Sequence, residues 1–331
     1  MTWVIKATWI AGVAALVVLV FSTGAEPVAR ALEAAGWGVA VVCLVRGTAV
    51  AGAGLGWFAL FPRAVRPGAL ICIAVRFLRE GASALLPLTL VGGNVIGARA
   101  LALCGAPASL SAASVIVDVL VQASTQGVFA IAGLATLAAL GNAGGTGATV
   151  AIAIALTVPA LSGFYVLQRP VGQRMVKALL TRLVGERQWL SFGAIDALYA
   201  RLDSLYGNRA GLVAAATIHM TFWFVGALEV WAMLAFIRLP ASYPEALVIE
   251  SLTQAIRGAA FAIPGALGAQ EGGMVAVCAL FGVPADVAIA MSLIKRVPDI
   301  VFGVPSLLGW QILEGRTLFS GRHAVEEPRG K

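Results

Sequence analysis

Charged residues set inside apolar stretches are where this sequence could do chemistry. Arg79, Glu80, Arg99, Asp118, Arg257, Glu271, Lys295, Arg296 and Asp299 all sit in segments dominated by Ala, Leu, Val and Gly, as do Arg46, Arg76, Glu229 and Glu250. A charge at the centre of a bilayer costs roughly 2.5–3.5 kcal/mol on insertion scales, so such residues are rare and usually paired or functional. Arg46, Arg76 and Glu250 read as side chains that snorkel to the interface. The others read as a set that meets a polar or charged group at membrane depth. Gln270 and Asn94 join that set by position.

What is missing narrows the chemistry. There is no P-loop, GxSxG, HExxH or DxD-type carboxylate pair for a metal-bound phosphate. Cys43, Cys72, Cys104 and Cys278 form no CxxC and read as buried free thiols. His219 and His323 lack metal-ligand spacing. The expectation is a protein with no catalytic constellation, no cofactor and no metal, closer to a transporter than to an enzyme.

The elements that hold these charges must be membrane helices. The 331 residues are 60% hydrophobic and only 12% charged, with mean hydropathy +0.92, whereas a soluble domain carries about 25% charged residues. The expected fold is an all-α polytopic membrane protein. Apolar segments fall at 7–23, 36–61, 112–140, 148–167, 211–237 and 287–312, which read as six plain spans. Lys6 and the run behind it read as an uncleaved first helix, not a signal peptide. Two further stretches, 69–104 and 246–281, are broken by Gly and Pro. Each fits either a pair of spans or a re-entrant hairpin.

The net charge of +7 comes from basic residues that are not clustered with exposed aromatics, so no nucleic-acid partner is expected. Residues 169–210 form the long polar segment and should be cytoplasmic, because cytoplasmic loops collect Lys and Arg. Counting outward places both termini inside. Residues 170–185 alternate Leu/Val/Met with Arg/Lys at helical spacing, as either an interfacial helix or an ordinary linker helix would.

A shift of 177 residues aligns the two broken stretches without a gap. Gly81, Ala82, Pro87, Leu90, Ala102, Leu103, Gly105, Pro107 and Ala108 fall on Gly258, Ala259, Pro264, Leu267, Ala279, Leu280, Gly282, Pro284 and Ala285. The topology count gives the copies opposite orientations. The chain then divides into repeat 1 at about 36–140, the segment 169–210, repeat 2 at about 211–312 and a cytoplasmic tail 313–331. Gly/Pro-interrupted segments in matching positions of inverted repeats point to a transporter site. Irregular backbone at membrane depth survives only where protein or a watery cavity satisfies it. The expected helix breaks are Pro87, Gly92 and Gly93 in the first copy, and Pro264, Gly265, Gly268, Gly272 and Gly273 in the second. Tight glycine packing between helices is the competing reading. The shift also sets Glu80 on Arg257 and Asp118 on Lys295, which suggests two ion pairs across the pseudo-two-fold axis.

Three blocks carry a resemblance: REGASALLPLTLVGGNVIGARALALCG (79–105), IPGALGAQEGGMVAVCALFGVP (263–284) and SLIKRVPDIVFGVPSLLGWQILEG (292–315). Their order and spacing resemble the flippase-like membrane family that includes the transmembrane part of lysylphosphatidylglycerol synthases, closest to its hopanoid-biosynthesis-associated branch. Asn94 departs from the acidic residue expected after the paired glycines. The resemblance implies lipid translocation across a bacterial inner membrane, with membrane lipids as partners. It does not extend to a soluble aminoacyl-transferase domain, so lipid aminoacylation is not implied. A homodimer or a complex with lipid-biosynthesis enzymes is the other kind of partner expected, and a non-catalytic assembly role through 170–185 is the alternative function. A membrane-embedded enzyme is the third reading, and it lacks a visible nucleophile or metal set.

Overall fold

The computed structural model describes residues 33, 35–86, 90–141, 159, 162–175, 189–239, 241–260, 263 and 266–323. Among these residues every regular element is helical. In chain order they are α1 (Gly38–Leu60), α2 (Ala69–Leu85), α3 (Leu90–Leu103), α4 (Ala108–Ala139), α5 (Trp189–Gly207), α6 (Arg209–Phe236), α7 (Tyr243–Ala259), α8 (Ala269–Ala279), α9 (Ala285–Ile294) and α10 (Val297–His323). The expected span 7–23, most of 148–167 and the basic stretch from 176 to 185 lie outside the described residues.

Helix lengths sort the elements. α1, α4 and α6, with 23, 32 and 28 residues, are long and apolar enough to cross a membrane. α3 and α8 have 14 and 11 residues. At 1.5 Å per residue they reach only about 21 and 17 Å, short of the roughly 30 Å hydrocarbon core. Each folds back along the helix before it, α3 on α2 and α8 on α7. The broken stretches are therefore helical hairpins.

The repeat is visible in packing as well as in sequence. α1 lies along α6, its own mate under the 177-residue shift. α2 packs on α10 as α7 packs on α4, and α1 on α2 as α6 on α7. The matched Gly and Pro residues after each hairpin share one local cause. Gly105 and Gly282 adopt φ of 98° and 70°, the left-handed conformation that glycine takes most easily at a helix end. Gly105 N–H donates to Ala102 and Ala106 N–H to Leu101; the second copy repeats this with Gly282 to Ala279 and Val283 to Cys278. Pro107 and Pro284 then occupy the N-caps of α4 and α9.

The expected plain span at 287–312 is instead broken. α9 stops at Ile294, Lys295 and Arg296 turn, and α10 restarts at Val297. Pro298 lies in the first turn of α10, where its missing N–H costs nothing. Side chains exposed on the outside, such as Leu44, Leu70, Val213, Leu308 and Ile312, are apolar, as a lipid-facing surface requires.

Where α2 meets α10 the backbones nearly touch. A Cβ built on Gly81 would lie 2.5 Å from Gly303 Cα. The equivalent contact in the second copy sets Gly258 against Gln126, whose amide donates to Gln254 O at 2.7 Å. Gly81→Val is therefore expected to push α2 off α10 and destabilise the fold by about 1–3 kcal/mol. Unfolding in graded denaturing detergent measures this, and an unchanged midpoint would show that the helices separate freely.

Candidate functional site

A cavity of about 220 Å³ opens between α1, α2, α3, α4, α6 and α7, with room for about seven waters at the liquid share of roughly 30 Å³ each. Its polar wall carries Arg46 from α1, Arg76, Arg79, Glu80 and Ser83 from α2, and Asn94 from α3. Gln122 and Gln126 come from α4, His219 and Glu229 from α6, and Glu250, Gln254 and Arg257 from α7. Phe222 and Trp223 form an apolar side. Trp223 stacks on Phe129 at 5.9 Å and donates its indole N–H to Thr125.

Two buried ion clusters brace this wall from behind, and they are related by the repeat with signs reversed. In the first, one acid holds two cations. Asp118 on α4 is fully buried and accepts from Arg76 Nη1 at 2.9 Å and from Arg79 Nη1 at 2.8 Å, with His219 Nε2 3.1 Å away. Arg76 also reaches Glu80 at 2.7 Å and Gln122 at 3.0 Å. Arg79 donates to Asn94 and lies over the Trp57 ring at 4.9 Å, a cation–π contact. In the second cluster one cation holds two acids. Lys295, which occupies the position of Asp118 in the second copy, lies 2.8 Å from Glu250 and 3.4 Å from Glu229.

A third, looser set faces the cavity between them. Arg46 is 3.9 Å from both Glu80 and Asp299, and Arg257 is 4.0 Å from Asp299. The whole network thus sets five cations, Arg46, Arg76, Arg79, Arg257 and Lys295, against five carboxylates, Glu80, Asp118, Glu229, Glu250 and Asp299. Arg46 and Arg257 are the cations held least tightly.

The cross-axis pairs expected from the repeat do not form. Asp118 pairs with α2 and α6, Lys295 with α6 and α7, and Glu80 with Arg76 and Arg46. Local partners on packed helices lie within reach, whereas the pseudo-symmetric mates do not. Nor do Arg46, Arg76 and Glu250 snorkel. Arg76 and Glu250 are each 2% exposed, because protein partners replace the interface they would otherwise seek. Among the residues singled out from sequence, Arg79, Glu80, Asn94 and Arg257 line the cavity. Asp118, Lys295 and Asp299 stand behind it as counter-ions.

Gln270, Glu271 and Arg296 make a separate knot. Glu271 is fully buried, paired with Arg296 Nη2 at 2.6 Å, and accepts from Gly268 N–H at 2.7 Å, capping its own helix. Gln270 donates to Ser292 Oγ at 3.1 Å. Arg99 lies apart, more than half exposed and 3.1 Å from Glu314. Reasoning from sequence left Gln122, Gln126, Gln254 and His219 out of the site. The spacing of Gln122 and Gln126, one helical turn apart in an apolar span, is the signal that could have found the first two.

The helix-break residues divide as well. Gly268 has φ 77° and the neighbouring Ala266 has φ 48°, so the chain is truly irregular there, at a strain cost of roughly 1 kcal/mol or more for the alanine. Ala266 lines the cavity. Gly92, Gly93, Gly272 and Gly273, however, lie inside α3 and α8, not at breaks. A Cβ on Gly93 would meet Ser83 Oγ at 2.0 Å, and one on Gly273 would meet Ile256 at 3.0 Å. These two let the arms of each hairpin close, the small-residue packing of membrane helices. Pro87, Pro264 and Gly265 lie outside the described residues.

A family model described as the lysylphosphatidylglycerol synthase TM region matches residues 9–309. The chain belongs to this family. No curated protein and no solved structure gives a significant match. Membership in the lysylphosphatidylglycerol synthase transmembrane family, with three apolar helices of spanning length, makes this a membrane protein. The match runs through both hairpins and all the ion clusters, so the cavity is built wholly from family-matched sequence.

Proposed function

We propose that this protein is a lipid translocase in which a lipid headgroup enters the cavity between the two hairpins while the acyl chains stay in the bilayer. The observation that carries this reading is the cavity wall: two loosely held arginines, Arg46 and Arg257, face a cavity of about 220 Å³ inside a membrane protein. A phosphate-bearing headgroup is the chemistry such guanidinium groups recognise, through charge-assisted and often bidentate hydrogen bonds. The volume suits a headgroup and excludes a whole lipid. The apolar exterior and the family's association with a lipid-modifying synthase support the same reading. The proposal includes a bacterial inner-membrane location with both termini cytoplasmic, supported by the basic segment 169–210. It also includes an absence of catalysis by the chain itself.

The test is movement of headgroup-labelled phosphatidylglycerol between leaflets of proteoliposomes. Wild-type protein is expected to accelerate it over protein-free vesicles. A rate equal to that of empty vesicles, with folded protein present, contradicts the proposal for phospholipids. Hopanoids, suggested by the branch that the hairpin blocks resemble, are the second class to offer in the same assay.

A further inference from the structure

We propose that the Glu229–Glu250–Lys295 cluster is a proton-binding site, filled when an anionic headgroup occupies the arginine side of the same cavity. This rests on the headgroup reading above and adds to it the identity of a coupled ion.

Glu229 is the starting point. It is 2% exposed, it lines the cavity, and its Oε1 has no hydrogen-bond partner among the described residues. Its other oxygen is 3.4 Å from Lys295 Nζ. Glu250, equally buried, is better served: Oε2 takes Lys295 at 2.8 Å and Oε1 takes the Gln254 amide at 2.8 Å. One ammonium therefore answers two carboxylates, and an unsatisfied buried carboxylate oxygen is costly.

The groups facing Glu229 are few. α7 brings Glu250 and Gln254, the turn between α9 and α10 brings Lys295, and α1 brings Cys43 and Arg46. Arg46 stands between the two halves of the network, with its field acting on Glu80 and Asp299 and also on Glu229 and Glu250. While the cavity is empty, Arg46 supplies the compensation that Lys295 alone cannot.

A headgroup phosphate changes that balance. The network holds equal numbers of cations and carboxylates, so one added anion leaves an excess negative charge in a poorly solvated space. Arg46 and Arg257 turn to the phosphate, and Glu229 loses its second source of positive field. Taking a proton from water onto Glu229 Oε1 restores neutrality, because burial without a partner favours the neutral acid. No other bond is made or broken. The new O–H faces the cavity and can donate to the bound headgroup. Sodium is a poorer candidate, because Lys295 already fills the cation position between the carboxylates.

The experiment uses purified protein in detergent micelles, weakly buffered with a pH indicator, titrated with dihexanoylphosphatidylglycerol. Calorimetry measures binding in parallel. Wild type is expected to take up about one proton per lipid bound, and over the pH range where that uptake is measured its affinity should fall about tenfold per pH unit. Glu229→Gln and Glu250→Gln each leave one carboxylate for Lys295. Both are expected to bind lipid without uptake and with an affinity flat in pH. The second variant serves if the first does not fold. Lipid binding by wild type without proton uptake overturns the proposal and leaves the headgroup reading standing. Uptake unchanged in both variants also overturns it and places the proton outside this cluster. An absence of lipid binding by wild type removes both readings.

Discussion

Asp118→Asn is expected to destabilise the protein by about 3–5 kcal/mol, the loss typical when one partner of a buried ion cluster is removed. The substitution keeps the shape of the side chain and takes away its charge. Arg76 and Arg79, 2% and 3% exposed, would then share a site with no full counter-ion. Glu80 and Gln122 still reach Arg76, and Asn94 still reaches Arg79, so the arginines keep hydrogen bonds but lose their common carboxylate. Arg99→Gln is the matched comparison. Its pair with Glu314 is exposed, and such pairs contribute about 0–1 kcal/mol. Unfolding midpoints in graded denaturing detergent should separate the two variants widely. Similar midpoints would mean that water reaches Asp118 and that the cluster is not a brace.

The opposite pattern is expected for Arg46 and Arg257. Their partners lie 3.9–4.0 Å away, beyond good hydrogen-bond distance, so each acts through its field and its change to Gln is expected to cost less stability than Asp118→Asn. Headgroup capture should suffer instead. A hydrogen bond to a charged group contributes about 1.5–3 kcal/mol, or on the order of tenfold to a hundredfold in affinity for each arginine. The Arg46→Gln/Arg257→Gln protein should therefore remain folded in detergent, bind short-chain phosphatidylglycerol far more weakly, and move the labelled lipid slowly. Isothermal titration and the vesicle assay check the two effects separately. A double variant that binds and transports like wild type would place the headgroup elsewhere.

Much of the scaffold was legible before the structure. The 177-residue shift finds the mates α2 and α7, α3 and α8, and the paired Gly–Pro turns at 105–107 and 282–284, because backbone geometry fixes those residue types. The break at Lys295 and Arg296 was harder to see. Residues 287–312 read as one plain span unless Pro298 is taken as a helix start. The site was half legible. Charge in an apolar span marks a residue as exceptional, and Arg79, Glu80, Asn94 and Arg257 do line the cavity. Partner choice was not legible, since it depends on which helices pack side by side. Symmetry suggested Asp118 with Lys295, but each found closer partners. Glu271 shows the same limit: its place after glycines suggested a cavity group, whereas its side chain caps α8 and pairs with Arg296.

The central claim is that a lipid headgroup occupies the cavity between the hairpins. The most direct measurement is photo-crosslinking in proteoliposomes with phosphatidylglycerol carrying a diazirine on its glycerol headgroup, followed by peptide mass spectrometry. The account predicts adducts on cavity-lining residues such as Phe222, Gln126 and Ile263, suppressed by excess unlabelled lipid. Adducts confined to the outer apolar surface near Leu70, Leu308 and Ile312, unaffected by competition, would contradict it.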